Sequence, residues 1–214
     1  MNDHDNSTPV ITYTPDGPFR LEGEAEIFDT AGNKVTHREV SLICRCGSSK
    51  KMPLCDGTHA RNNFYAPSGK SRLPNRRINY RGKEILVHFN PAFCSHNGAC
   101  LRMLPKVFNQ GHNPWVDPDG ASVDKIVDAI KHCPSGALSY TLEKERIWRI
   151  AQSPLKIRTV KYGPLEVSGA VKLIDGEKGD LKIECPDHFT LCRCGLSAHI
   201  PFCDGGHFAS DMDE

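Results

Sequence analysis

The stretch Leu42-Ile43-Cys44-Arg45-Cys46-Gly47, followed by Pro53-Leu54-Cys55-Asp56-Gly57-Thr58-His59, decides how this chain is read, because it occurs twice. It returns as Thr190-Leu191-Cys192-Arg193-Cys194-Gly195 and Pro201-Phe202-Cys203-Asp204-Gly205-Gly206-His207. Upstream, Gly17-Pro18-Phe19-Arg20-Leu21-Glu22-Gly23 is echoed by Gly163-Pro164-Leu165-Glu166-Val167-Ser168-Gly169. The same features in the same order, at nearly the same offsets, mark a duplicated module. The residues between the copies, roughly 75 to 150, read as an insert.

In both copies the donor spacing is Cys-x-Cys, eight residues, then Cys-x3-His. Two thiolates flanking one residue reach the same metal. Cys55 and His59 stand at i and i+4 and share a face at a helix start, which supplies a second pair. Two pairs are what a two-iron cluster needs, one for each iron. Gly57 allows a tight turn beside such a group, and Asp56 can accept amide bonds at the helix start. Those amides also favour an anion nearby, and Arg45 and Arg193 set a cation against each thiol loop. Three Cys and one His equally make a structural zinc set, and spacing leaves both open.

The full pattern resembles the CDGSH iron–sulfur (NEET) family. Its signature is Cys-x-Cys, a Pro two before the third Cys, then Cys-Asp-Gly-x-His. The resemblance implies one ligand set of Cys44, Cys46, Cys55 and His59, and another of Cys192, Cys194, Cys203 and His207. Each would hold a [2Fe–2S] cluster, with two Cys on the inner iron and Cys plus His on the outer. The family's Ser/Ala position is Thr58 in one copy and Gly206 in the other, a mild departure. Single-motif members pair as homodimers, so two motifs in one chain imply an intrachain pseudo-dimer and a monomeric protein. A neutral imidazole should raise the potential above that of an all-Cys site, and its protonation, near pH ~6.5 when unperturbed, competes with iron.

The insert carries a second kind of site. Cys94-Ser95-His96-Asn97-Gly98-Ala99-Cys100 has Cys at two of the three places of a bacterial Cys-x2-Cys-x2-Cys run, with Asn97 in the middle place, and Cys133-Pro134-Ser135-Gly136 supplies the remote Cys-Pro. It looks like a divergent single-cluster ferredoxin domain. The thiols of Cys94, Cys100 and Cys133 suffice for [3Fe–4S], and a [4Fe–4S] cluster would need a fourth ligand from His96, water or a partner.

Ten Cys in a chain with a polar, leaderless N-terminus point to metal or catalysis in a reducing, cytoplasmic setting rather than to disulfides. No run is long enough to span a membrane. A net charge of +1 gives no global signal for nucleic acid, and the basic stretch Lys70, Arg72, Arg76, Arg77, Arg81 and Lys83 reads as a solvated linker. Hydrophobic residues at 38% and aromatics at 7% argue for small metal-held units rather than one large core.

The expected architecture is α+β: two β-rich modules flanking a ferredoxin-like α+β insert. The expected organisation is a disordered 1–8, a first module at 9–66, a basic linker at 67–77, the insert at 78–142, a linker at 143–156, a second module at 157–209 and an acidic tail at 210–214. Strands are expected at Phe19-Leu21, Ala25-Phe28 and Leu42-Cys44, and again at Leu165-Val167, Val171-Ile174 and Leu181-Glu184, forming a small antiparallel sheet in each module. In the insert, Glu84-Phe89 and Gly136-Tyr140 read as strands. Val123, Ile126, Val127 and Ile130 predict an amphipathic helix over Ser122 to Lys131, capped by Ser122. Cys185 lacks partner spacing and reads as a plain thiol. Trp115 and Trp148 read as packing anchors, and His112, His132 and His199 as structural. No nucleophile–base pair, phosphate loop or dinucleotide motif is visible. The expected role is single-electron relay between redox partner proteins, with donation of [2Fe–2S] to apo iron–sulfur acceptors as the alternative.

Overall fold

The structure is a computed structural model that describes residues 8–66, 74–142, 145–147 and 154–209. Expectations for the N-terminus, the acidic tail, Trp148 and the middle of both linkers fall outside these residues.

The first module contributes β1 (Val10–Tyr13), β2 (Phe19–Glu22), β3 (Ala25–Phe28), β4 (Lys34–Val35), β5 (Val40–Ile43) and the short helix α1 (Thr58–Arg61). The insert contributes β6 (Ile78–Arg81), β7 (Leu86–Phe89), α2 (Ala99–Met103), α3 (Val123–Lys131), β8 (Leu138–Leu142) and β9 (Glu145–Ile147). The second module repeats the first as β10 (Leu155–Thr159), β11 (Leu165–Ser168), β12 (Lys172–Asp175), β13 (Gly179–Asp180) and β14 (His188–Leu191), then a 3-10 turn at Gly206–Ala209.

The modules do not keep their own strands. One sheet runs β13-β12-β1-β2-β5 and the other β14-β11-β10-β3-β4. Each module sends its third and fourth strands to the other. β12 pairs parallel to β1, from Val10↔Lys172 to Tyr13↔Asp175, and β3 pairs parallel to β10, from Ala25↔Leu155 to Phe28↔Arg158. Alternation sets the faces. Phe19 and Leu21 point inward while Arg20 points out, and Leu155, Ile157 and Thr159 are buried while Lys156 and Arg158 are exposed. The expected pair of separate antiparallel sheets is therefore corrected to two mixed sheets. Period-2 patterning fixes which side chains are buried but does not name the neighbouring strand.

The exchange also removes the expectation of several small cores. Ile11, Leu21 and Ile27 join Ile157, Val167 and Leu173 in one continuous cluster that extends into the insert through Val87, Ile126, Ile130 and Tyr140. The third expected strand of the second copy is misplaced. Leu181-Glu184 forms no strand, and β14 at His188–Leu191 takes the place opposite β11.

In the insert, β6-β7-β8-β9 form an antiparallel sheet, with α3 burying Ile126, Ala129 and Ile130. Ser122 occupies the N-cap position, yet its side chain makes no capping bond. Trp115 anchors the intervening loop, edge-on to Phe89 at 4.9 Å and to Tyr80 at 6.2 Å. Arg77 of the basic stretch bridges Glu184 at 3.3 Å, tying the start of the insert to the second module. No helix among the described residues is long and apolar enough to cross a membrane.

Candidate metal centres

The two outer loops are built alike. In the first, Cys44 N–H donates to Pro53 O at 2.8 Å and Cys55 N–H to Leu42 O at 2.8 Å. In the second, Cys192 N–H donates to Pro201 O at 2.7 Å and Cys203 N–H to Thr190 O at 2.9 Å. Met52-Pro53 and Ile200-Pro201 are both cis. The Asp of each motif clamps its loop. Asp56 accepts the Thr58 and Lys50 amides at 3.0 Å each, and Asp204 accepts those of Gly206 at 3.0 Å and Ala198 at 2.9 Å. Bonding to Thr58 holds the Asp56 carboxyl well below the usual carboxylate range. Gly57 and Gly205 sit at φ 85° and 86°, a left-handed turn that favours glycine.

These turns bring the expected donors together in pairs. Cys44 Sγ lies 3.8 Å from Cys46 Sγ, and Cys192 Sγ 3.7 Å from Cys194 Sγ. Cys55 Sγ lies 3.3 Å from His59 Nδ1, and Cys203 Sγ 3.4 Å from His207 Nδ1. In each thiol pair the hydrogen bond between the two sulfurs lets one proton leave below the ordinary thiol range. The same bond and burial oppose loss of the second proton, at Cys44 and at Cys194. Burial pushes Cys55 and Cys203 up as well.

Arg45 tests what these donors suit. Its side chain is 1% exposed. It donates to the carbonyls of Thr14 and Ala66 and lies 4.4 Å from the Tyr13 ring centroid, yet its Nε has no hydrogen-bond partner among the described residues. A buried cation is costly unless anions compensate it, and here Tyr13 and the Asp16 carboxylate offset only part of the burial, which still lowers the Arg45 value. The thiol it acts on is Cys192 of the other copy, while Arg193 acts on Cys44. An anionic thiolate-bound cluster supplies that charge, so the donor sets fit one. Each Arg thus sets its cation against a thiol loop, as expected, and the loop it faces is that of the other copy.

The insert brings Cys94, Cys100 and Cys133 to one narrow cavity beside Trp115. Burial, with Cys133 next, raises Cys94 to about 12 and Cys100 to about 11. Cys133 Sγ lies 3.6 Å from Ser135 Oγ. Asn97 is bonded into the loop, with its O and Oδ1 accepting from Arg102 at 2.8 and 3.3 Å. The His96 ring reaches the second outer loop, so close that a Cβ on Gly205 would lie 2.3 Å from its Cδ2. Phe93, next to Cys94, meets Phe202, next to Cys203, edge-on at 5.1 Å, and stacks on His199 at 6.3 Å. Cys94 is near enough to raise the charging cost of Cys203. On its other side, the second loop approaches the first. Arg193 Nη2 lies 3.9 Å from Met52 Sδ, and a Cβ on Gly195 would lie 3.0 Å from that of Ala66. The second outer loop therefore stands between the other two thiol sets.

Sequence reasoning missed a fourth group. Cys185, read as an isolated thiol, lies with Asp187 and His188 at the start of β14. Its only local signal was four consecutive residues, Cys185-Pro186-Asp187-His188.

Comparison with known proteins agrees with this geometry. The family model described as an iron-binding zinc finger of CDGSH type matches residues 16–60 and 162–208, and a divergent 4Fe-4S mono-cluster model matches residues 80–143. The uncharacterized protein YjdI of Escherichia coli K12 is 48% identical over 61 residues, 28% of this chain and 80% of that protein. Its counterpart in Escherichia coli O157:H7 matches to the same extent. No solved structure matches the chain.

Proposed function

We propose that this chain, which belongs to the CDGSH-type iron-binding family and binds iron–sulfur clusters through two such modules and a divergent 4Fe-4S unit, is a monomeric one-electron relay. Two [2Fe–2S] clusters and one [3Fe–4S] or [4Fe–4S] cluster would supply reversible one-electron chemistry when bound. Cys44, Cys46, Cys55 and His59 would hold the first outer cluster, Cys192, Cys194, Cys203 and His207 the second outer one, and Cys94, Cys100 and Cys133 that of the insert. One observation carries the reading: the second outer loop touches the segments beside both other thiol sets, through Met52 and Ala66 on one side and through His96 and Phe93 on the other. Such a row suits passage of electrons, whose transfer slows steeply with distance. The reciprocal strand exchange supports an intrachain pseudo-dimer, which leaves no unpaired module to recruit a second chain. The partners are redox proteins.

The surroundings of the outer sets differ. Lys50 and Lys51 are exposed beside the first, whereas Ala198 and His199 stand at those places in the second, where His199 packs on Phe93. Two distinct outer reduction potentials are expected in a redox titration followed by electron paramagnetic resonance. One shared potential would contradict this.

The alternative role, donation of [2Fe–2S] to apo-proteins, draws on the part-exposed His59 and His207. Mixing the oxidised protein with an apo-ferredoxin separates the two. A relay keeps its visible absorption, whereas a carrier bleaches as the acceptor gains colour.

Acid sensitivity is expected at the second outer site. Burial, with His96 next, lowers the His207 value. Just below the ordinary His value of ~6.5, the native state then binds fewer protons than the unfolded chain, and stability falls as pH falls. Visible absorption should decline as the pH drops through and below that range. The His59→Cys, His207→Cys protein should show little pH response, and an unchanged response would remove the imidazoles from the explanation.

A further inference from the structure

Cys185, Asp187 and His188 belong to none of the three thiol sets. Cys185 Sγ donates to Asp187 Oδ1 at 2.7 Å and lies 3.3 Å from His188 Nδ1, which is 2.7 Å from the same carboxylate oxygen. The three donor atoms all lie within 4.8 Å of one another. Cys185 is 1% exposed and His188 5%, whereas Asp187 is part-exposed. We propose that this group is a mononuclear zinc site of the second module, closing the surface on which the insert's turn after Cys133 rests.

The donors are one sulfur, one imidazole nitrogen and one carboxylate oxygen, a mixed set that zinc accepts readily in tetrahedral geometry. With Zn–S about 2.3 Å and Zn–N about 2.0–2.1 Å, the sulfur–nitrogen edge of a tetrahedron is roughly 3.5 Å, close to the distance present. A small outward turn of the Asp187 carboxylate would open its two shorter edges, and its exposed side leaves the fourth position to water. Binding replaces the thiol proton by the metal: Cys185 S–H gives up its proton to solvent and the sulfur keeps the electron pair that bonds zinc. Without a cation, burial keeps this thiol protonated and inert as a nucleophile.

The duplication gives a second, independent indication. Gly23 N–H donates to Glu39 O in the first copy, and Gly169 N–H to Asp187 O in the second, so Glu39 and Asp187 are equivalent. The counterparts of Cys185 and His188 are then His37 and Val40. The full donor set exists only in the copy that carries the insert on it. There the turn after Cys133 rests on the group. A Cβ on Gly136 would lie 2.3 Å from Cys185 Cβ and 2.8 Å from His188 O. β14 is an edge strand by named pairing and all four of its residues are buried, His188 beneath this turn and Phe189 to Leu191 against the Phe202–Cys203 segment.

The test is metal analysis with zinc K-edge X-ray absorption on the cluster-loaded protein, purified without oxygen and supplied with zinc. About one zinc per chain is expected beyond the iron, with a first shell of one sulfur and light atoms. Cys185→Ser should lose the zinc and its sulfur scatterer while keeping the visible absorption of the clusters. Asp187→Asn, which leaves sulfur and imidazole in place, should bind zinc at least tenfold more weakly. Absence of zinc, or its full retention in both variants, would overturn the site. A three-sulfur shell would overturn it too, and would also count against the proposed function, because it places zinc in an outer Cys3His set.

Discussion

Arg45→Met is expected to speed iron loss from the Cys192, Cys194, Cys203 and His207 set more than from the set that flanks it in sequence. Arg45 is buried, bonded to two carbonyls and aimed electrostatically at Cys192. Bonds and contacts of a buried cation with anionic sulfur contribute about 1.5–3 kcal/mol, which corresponds to a roughly tenfold to hundredfold faster release at the second set. Methionine keeps most of the volume, so packing against Tyr13, Phe19 and Phe64 changes little. Backgrounds with one outer set disabled, Cys55→Ser and Cys203→Ser, let each site be followed by visible absorption. Faster loss confined to the Cys44 set would show that the Arg acts within its own loop and would refute the crosswise assignment.

Gly205→Ala is expected to be far more damaging than Gly57→Ala, although the two glycines occupy the same motif position with nearly the same φ. At Gly57 a Cβ meets nothing within 4 Å among the described residues, so the cost is that of a left-handed alanine, ~1–2 kcal/mol. At Gly205 the Cβ would sit 2.3 Å from His96 Cδ2. The His96 ring must swing away or its loop retreat, adding ~1–3 kcal/mol. Denaturant unfolding measures the difference. A His96→Ala, Gly205→Ala double variant should return to the level of Gly57→Ala. Magnetic interaction between the central and second outer clusters, seen as altered electron spin relaxation, should weaken in Gly205→Ala alone. Equal costs for the two glycine substitutions would dismiss the contact between the loops, and with it the observation on which the relay rests.

Much of the metal chemistry is local and is legible in the sequence. The i, i+4 placement of Cys55 and His59 and the Cys-x-Cys pairs predict donors that converge two by two, and the observed separations fall between 3.3 and 3.8 Å. α3 follows from the spacing of Val123, Ile126, Val127 and Ile130. Other readings fail where nonlocal packing prevails. Leu181-Glu184 looks like a strand by composition, but the edge beside β11 goes to His188–Leu191, where the insert covers His188 and the cysteine loop of the same module covers Thr190. Cys185 looks solitary because its partners follow a proline and only the fold closes them around it.

The sequence alone determined the repeated module, the Cys and His side chains that converge in it and the inserted thiol set, because a turn of a few residues fixes which side chains can meet. The tertiary structure decided that the modules exchange strands, that Arg45 and Arg193 serve each other's loops, and that the second outer site stands between the other two. Hydrophobic alternation states only that a face is buried. Which distant strand or loop buries it depends on the joint packing of all three units into one core, and no single segment carries that information.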